Sequence, residues 1–158
     1  MVKVVIDADG LIKLVKSGIF PIPYQCIIAE EVRQETVVEG KKKLFEDAFY
    51  IENMIKGGNI KVVHAPKPST EGLGKGEQAS LSLFKEINAD AIISDDRRFL
   101  NHLEKESISF ITPAECIVRL AEARKITREQ GKAALEKIKT LIRKESFDSA
   151  MDALGGKR

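Results

Sequence analysis

The chain has 158 residues and a mass of 17.5 kDa, with 43% hydrophobic and 32% charged residues; this fits one hydrophobic core and excludes a disordered chain, which lacks the apolar surface to offset its conformational entropy. A net charge of +2 and a pI near 8.5 provide no global field for nucleic acid, so a local patch would have to meet such a partner. No apolar run reaches membrane-spanning length and the opening one is too short for a signal peptide, while Cys26 and Cys116, far apart in apolar surroundings, read as reduced thiols of a cytoplasmic protein rather than a disulfide or zinc site.

The β-branched run at residues 2–6 predicts a strand buried on both faces. Leu11, Ile12, Leu14 and Val15 at helical spacing, closed by Gly18, predict a helix after it. PIPYQCII reads as a proline-bounded connection. Two helices follow: AEEVRQETVV, then KKKLFEDAFYIENMIK with Leu44, Phe45, Ala48, Ile51 and Ile55 on one stripe and Gly57 and Gly58 at its end. IKVVHA, from Ile60, is the second strand. The loop APKPSTEGLGKG delivers Glu77 into the first turn of EQASLSLFKEI, ADAIIS is the third strand, RRFLNHLEKE a short helix and SISFIT the fourth strand. Thr112, Pro113 and Glu115 then form a capping box with proline at the first helical position, and Thr127 and Gln130 form another. A stripe of Leu135, Ile138, Leu141 and Ile142 is expected to dock a C-terminal helical segment, 127–154, on the body of a single domain, 1–158, with a frayed tail at 155–158.

Strands alternating with helices specify an α/β fold, a parallel sheet between two helical layers, and ligands of such sheets bind outside the carboxyl ends of the strands. Two acid pairs, Asp7 with Asp9 and Asp95 with Asp96, fall at strand ends. Asp7 and Asp96 are expected on neighbouring strands, with Glu77 opening the helix before the second. Caps and helix dipoles account for Asp9, Asp95, Asp96 and Glu77 taken singly, whereas Asp7, directly on a strand, has no such role at hand. As a group they need a cation, because two like charges about 4 Å apart repel by roughly 4 kcal/mol at an effective dielectric of about 20. Carboxylates without a nearby cysteine select Mg²⁺ or Mn²⁺, and such an ion keeps positions for water and a phosphate, as metal-assisted phosphodiester hydrolysis requires. His64 and His102 lack metal-ligand spacing and read as surface or packed side chains. Gly74 and Gly76 lack the rest of a phosphate-loop pattern and read as a turn.

DADG at 7–10 resembles the first motif of the haloacid-dehalogenase phosphatases, which would make Asp7 a nucleophile and Asp9 a general acid; Leu11 and the later acids depart from that family's pattern. The chain as a whole resembles the PIN-domain nucleases through IDADGLIKLVKSG, IIAEEVRQE, GKGEQASLSL and AIISDDRRF, in that order, and onward through KITREQGKAALEKI. This resemblance implies a three-layer α/β/α fold and a Mg²⁺- or Mn²⁺-dependent endoribonuclease whose activated water cleaves phosphodiester bonds. Asp7, Glu35, Glu77 and Asp96 would be the catalytic quartet, with Asp7, Glu77, Asp95 and Asp96 on the metal and Asp9, Ser94 and Glu31 as auxiliaries. Glu31 or Glu30 competes with Glu35 for the second acid, Glu31 and Glu35 sharing one helix face. Asp9 stands where Ser, Thr or Asn is more usual in the family. Lys13, Lys75, Arg97 and Arg98 would hold RNA phosphates, and the lysines at 41–43 less directly. VapC-type members of the family add two partners, an antitoxin protein and a second copy of the chain. A PIN fold that binds RNA or protein without cutting is the remaining alternative.

Overall fold

The computed structural model describes residues 1–66 and 72–155; part of the loop before Glu77, and the tail beyond Gly155, lie outside these described residues. Among them, β1 (Lys3–Ile6), β2 (Gln25–Ala29), β3 (Ile60–Val63), β4 (Ala91–Ile93) and β5 (Phe110–Ile111) form one parallel sheet in the order β3-β2-β1-β4-β5. β2 corrects the sequence reading, which took PIPYQCII for a connection and expected four strands. Gln25 follows the prolines and is exposed, but Cys26, Ile27, Ile28 and Ala29 are buried between β1 and β3, where a short continuous apolar run belongs in a sheet covered on both faces.

Each of the four links between strands contains at least one helix. α1 (Ala8–Ser17) joins β1 to β2 and α4 (Glu46–Lys56) leads into β3, both stepping outward in one direction. α5 (Lys75–Ile87) returns the chain across the sheet to β4, and α6 (Arg97–Lys105) continues to β5. Right-handed crossovers in opposite directions put these two pairs on opposite faces, which makes the three-layer α/β/α sandwich. The reversal of direction falls between β1 and β4, the switch point where open α/β sheets bind their ligands.

Between β2 and α4 the chain is one helical segment of uneven pitch: α2 (Glu30–Arg33), a π-helical turn (Gln34–Val38) and α3 (Glu39–Lys42). Leu44 and Phe45 do not extend the α4 stripe as expected. The amides of Lys43, Leu44 and Phe45 bond back to Glu39, Lys41 and Gly40, closing α3, and Leu44 takes φ 59° at 78% exposure. Phe45 is exposed ahead of α4, whose buried residues are Ala48, Ile51 and Met54.

Past β5 come α7 (Pro113–Glu122), α8 (Arg128–Ile138) and α9 (Lys144–Ala153), with Thr112 and Thr127 as side-chain caps. The expected stripe loses Leu141, which is exposed, but keeps Ile142, which packs against a second apolar cluster that Phe147, Ala150, Met151 and Leu154 around α9 complete with α7 and α8. Ile19 and Ile126 touch both this cluster and the core around the sheet. Cys26 and Cys116 are buried free thiols, pushed up to about 12 by burial. No helix among the described residues is long and apolar enough to cross a membrane.

Candidate active site

Asp7 is the single residue between β1 and α1. Its backbone is extended, at φ −82° and ψ 174°, and its Oδ1 accepts the Gly10 N–H at 2.7 Å, so it caps α1 after all. Its Oδ2 accepts the Ser94 hydroxyl at 2.5 Å. Ser94 is fully buried at the end of β4, and its Oγ also accepts the Asp96 N–H at 3.2 Å. One hydroxyl thus joins the two strand ends that carry Asp7 and Asp96. Asp96, rather than Asp95, caps α6, its Oδ1 accepting the Phe99 N–H at 3.0 Å.

The approach of α1 to β4 depends on Gly10. A Cβ at that position would lie 2.6 Å from the Ile93 carbonyl oxygen, so any other residue would push the helix away from the strand and open the gap that Asp7 and Ser94 bridge.

On the far side of Asp7, α5 presents Glu77 in its first turn. Glu77 Oε1 accepts the Gly74 N–H at 3.0 Å, the reaching-back half of a capping box. Glu35, on the π-helical turn, accepts the Gly76 N–H and packs against Gly76 so closely that a Cβ there would collide with its Oε1. Glu30 points elsewhere: Arg33 Nε donates to it at 2.8 Å and Gln34 Nε2 at 2.9 Å, and the Arg33 pair leads in holding it down at about 2. Of the three glutamates that compete in sequence, Glu35 is the one that meets Glu77; Glu31 makes none of these contacts.

Burial pushes the Asp7 carboxyl up from 3.8 to about 7; the Ser94 and Gly10 hydrogen bonds work against this, and the charges of Asp9 and Glu77 add to it. Glu35 is raised by burial and then by Glu77. The acids therefore form an electrostatic chain, Glu35 to Glu77 to Asp7, with Asp96 attached through Ser94. No lysine or arginine among the described residues bonds to any of the four. As these side chains stand, no three of them enclose a metal ion among the described residues. The set is nonetheless all oxygen and lacks an internal counter-charge, which is what a hard divalent cation satisfies, and Asp7, Glu35, Glu77 and Asp96 would be its holders.

The basic candidates divide. Lys75 is exposed on the first turn of α5, and Arg97 and Arg98 are exposed on the first turn of α6, where Arg98 donates to the Gly72 carbonyl. Arg97 and Arg98 line a groove with Asn101 and Lys105. Lys13 is not free: its Nζ lies 2.8 Å from Asp95 and 3.2 Å from Asp9, and these acids outweigh the effect of burial and leave its pKa raised. His102 sits 2.5 Å from Glu106 and His64 lies beside Glu30, so neither joins the acid set. The sequence reading missed Gly10 and the engagement of Lys13, although the four-residue spacing from Asp9 to Lys13 signals an ion pair on a helix face.

Residues 3–148 match the family DUF3368, a PIN domain. The chain belongs to the PIN-domain family. PIN domains are generally nucleases that use divalent metals, and the acid set lies at the carboxyl ends of this PIN domain's central strands. No curated protein matches the chain significantly. Among solved structures, it is similar to a PilT N-terminus domain protein, SSO1118, from the hyperthermophilic archaeon Sulfolobus solfataricus P2, at 18% identity over 72% of this chain and 88% of that one, with a TM-score of 0.46.

Proposed function

We propose that this PIN domain is a Mg²⁺- or Mn²⁺-dependent ribonuclease that hydrolyses phosphodiester bonds, with Asp7, Glu35, Glu77 and Asp96 as its acidic set. The observation that carries this reading is the coupling of Glu35 and Glu77 to a buried Asp7, and of Asp96 to Asp7 through Ser94, with no bonded cation among the described residues. A bound divalent ion would supply Lewis acidity at the scissile phosphate and an activated water. The chain's own residues set the stage. Gly10 N–H and Ser94 fix both oxygens of Asp7, Gly74 N–H and Gly76 N–H orient Glu77 and Glu35, and exposed Lys75, Arg97 and Arg98 are available to RNA phosphates.

The phosphatase alternative has little left to stand on, since the general acid it requires, Asp9, is paired with Lys13. An antitoxin protein and a second copy of the chain are the partners expected of the toxin form of this enzyme.

The deciding experiment compares cleavage of a single-stranded RNA by wild type and Glu77→Gln, with Mn²⁺ and with chelator. Wild type should cut only with metal, and Glu77→Gln should lose at least about tenfold of that rate, while Gln keeps the cap to Gly74 and hence the fold. Unchanged cleavage by Glu77→Gln, or cleavage in chelator, overturns the assignment.

A further inference from the structure

Two acids remain beside the proposed set, Asp9 and Asp95, and one lysine holds both. Lys13 Nζ lies 3.2 Å from Asp9 Oδ2 and 2.8 Å from Asp95 Oδ2, with the lysine side chain 16% and that of Asp95 4% exposed. The second oxygen of Asp95, Oδ1, is buried with no hydrogen-bond partner among the described residues. The charge of Asp95 is therefore balanced by Lys13. The two contacts also span the switch point, because Asp9 belongs to the first turn of α1 and Asp95 to the link between β4 and α6.

We propose that Lys13 is a positioning residue: an internal counter-cation that withdraws Asp9 and Asp95 from metal binding and pins the start of α1, with Asp7, to the link that carries Asp96. A divalent ion then meets the four carboxylates of the proposed set without Asp9 and Asp95. The clamp needs neither metal nor RNA to form, and it leaves Lys13 no role as a phosphate contact. It also accounts for an acid at position 9, since the added negative charge arrives with its own cation one helical turn away. The pinning is independent of the proposed activity, whereas the withdrawal of the two acids rests on the metal-dependent reading.

The test follows thermal unfolding of the full chain by circular dichroism. In chelator, Lys13→Met should lower the midpoint by roughly 5 °C or more, because a buried carboxylate loses the one cation paired with it among the described residues. Adding Asp95→Asn to that variant should recover part of the loss, and Lys13→Arg, which keeps the charge, should lose less than Lys13→Met. If Lys13→Met does not fold, recovery of the fold in the double variant supports the clamp. An unchanged midpoint for Lys13→Met, or a double variant worse than the single, overturns it. On adding Mn²⁺, the midpoint of Lys13→Met should rise further than that of wild type, because the freed Asp9 and Asp95 now attract the ion, and Asp9→Asn in that background should reduce the excess. Equal Mn²⁺ shifts overturn the withdrawal of the two acids. If wild type gives no Mn²⁺ shift at all, the metal-dependent reading fails, while the measurements in chelator still decide the clamp.

Discussion

Asp7 is an acid whose own fold resists its ionisation. Burial, with the charges of Asp9 and Glu77 behind it, raises the carboxyl from 3.8 to about 7 even though Ser94 and Gly10 both hydrogen-bond to it. Below about pH 4 the group is protonated in folded and unfolded chains alike and costs nothing. Between about pH 4 and 7 the unfolded chain ionises and the folded chain does not, so metal-free stability should fall as pH rises and stay low above 7, by an amount on the order of 4 kcal/mol. Asp7→Asn, whose amide oxygen can still cap α1, should therefore stabilise the metal-free protein at pH 7.5 by a few kcal/mol in urea titrations and flatten this pH dependence. The same substitution should abolish metal-dependent cleavage. A less stable Asp7→Asn protein would refute this account of Asp7. From sequence, an acid on a strand end was legible, and so was Asp96 on a neighbouring strand; the hydrogen bond from Ser94 to Asp7 was not, because the two are 87 residues apart and no periodicity records that they touch.

At the scale of elements, the site is set by how closely α1 can approach β4, and Gly10 sets that distance. Gly10→Ala must move the helix start or the Ile93 carbonyl and should cost about 1–3 kcal/mol of stability. Cleavage should fall more steeply than stability does, because the displacement lies between Asp7 and Asp96; cleavage at the wild-type rate with wild-type stability would show that the gap tolerates a methyl group. The strand-to-helix steps at Asp7 and Asp96 were readable because acids followed β-branched runs. β2 was not, because Pro21 and Pro23 are strong turn signals and only the burial of Cys26 to Ala29 between two neighbours outweighs them. The π-helical turn that carries Glu35 leaves no mark in apolar spacing either. The break at Leu44 was hidden by a Leu and a Phe that fit a helical stripe which the backbone closes before reaching them.

At the scale of the whole molecule, the clusters around the sheet and around α7, α8 and α9 meet at Ile19 and Ile126. Phe147, nearly buried in the second cluster, should cost about 3–5 kcal/mol when cut to alanine, and urea unfolding of Phe147→Ala followed at 222 nm should remain a single transition. Two separated transitions would show instead that the terminal helices fold independently. The strand order has a consequence in time. β1 lies between β2, which follows it directly, and β4, which is made long afterwards, so a chain still being synthesised carries Asp7 and Glu35 before it has Ser94 or Asp96 to seat them against. At roughly 5–20 residues per second, several seconds separate the appearance of Asp7 from that of Ser94. On the proposed activity, the protein would therefore start to leave its ribosome unarmed, its acids assembled only after β4 has been made.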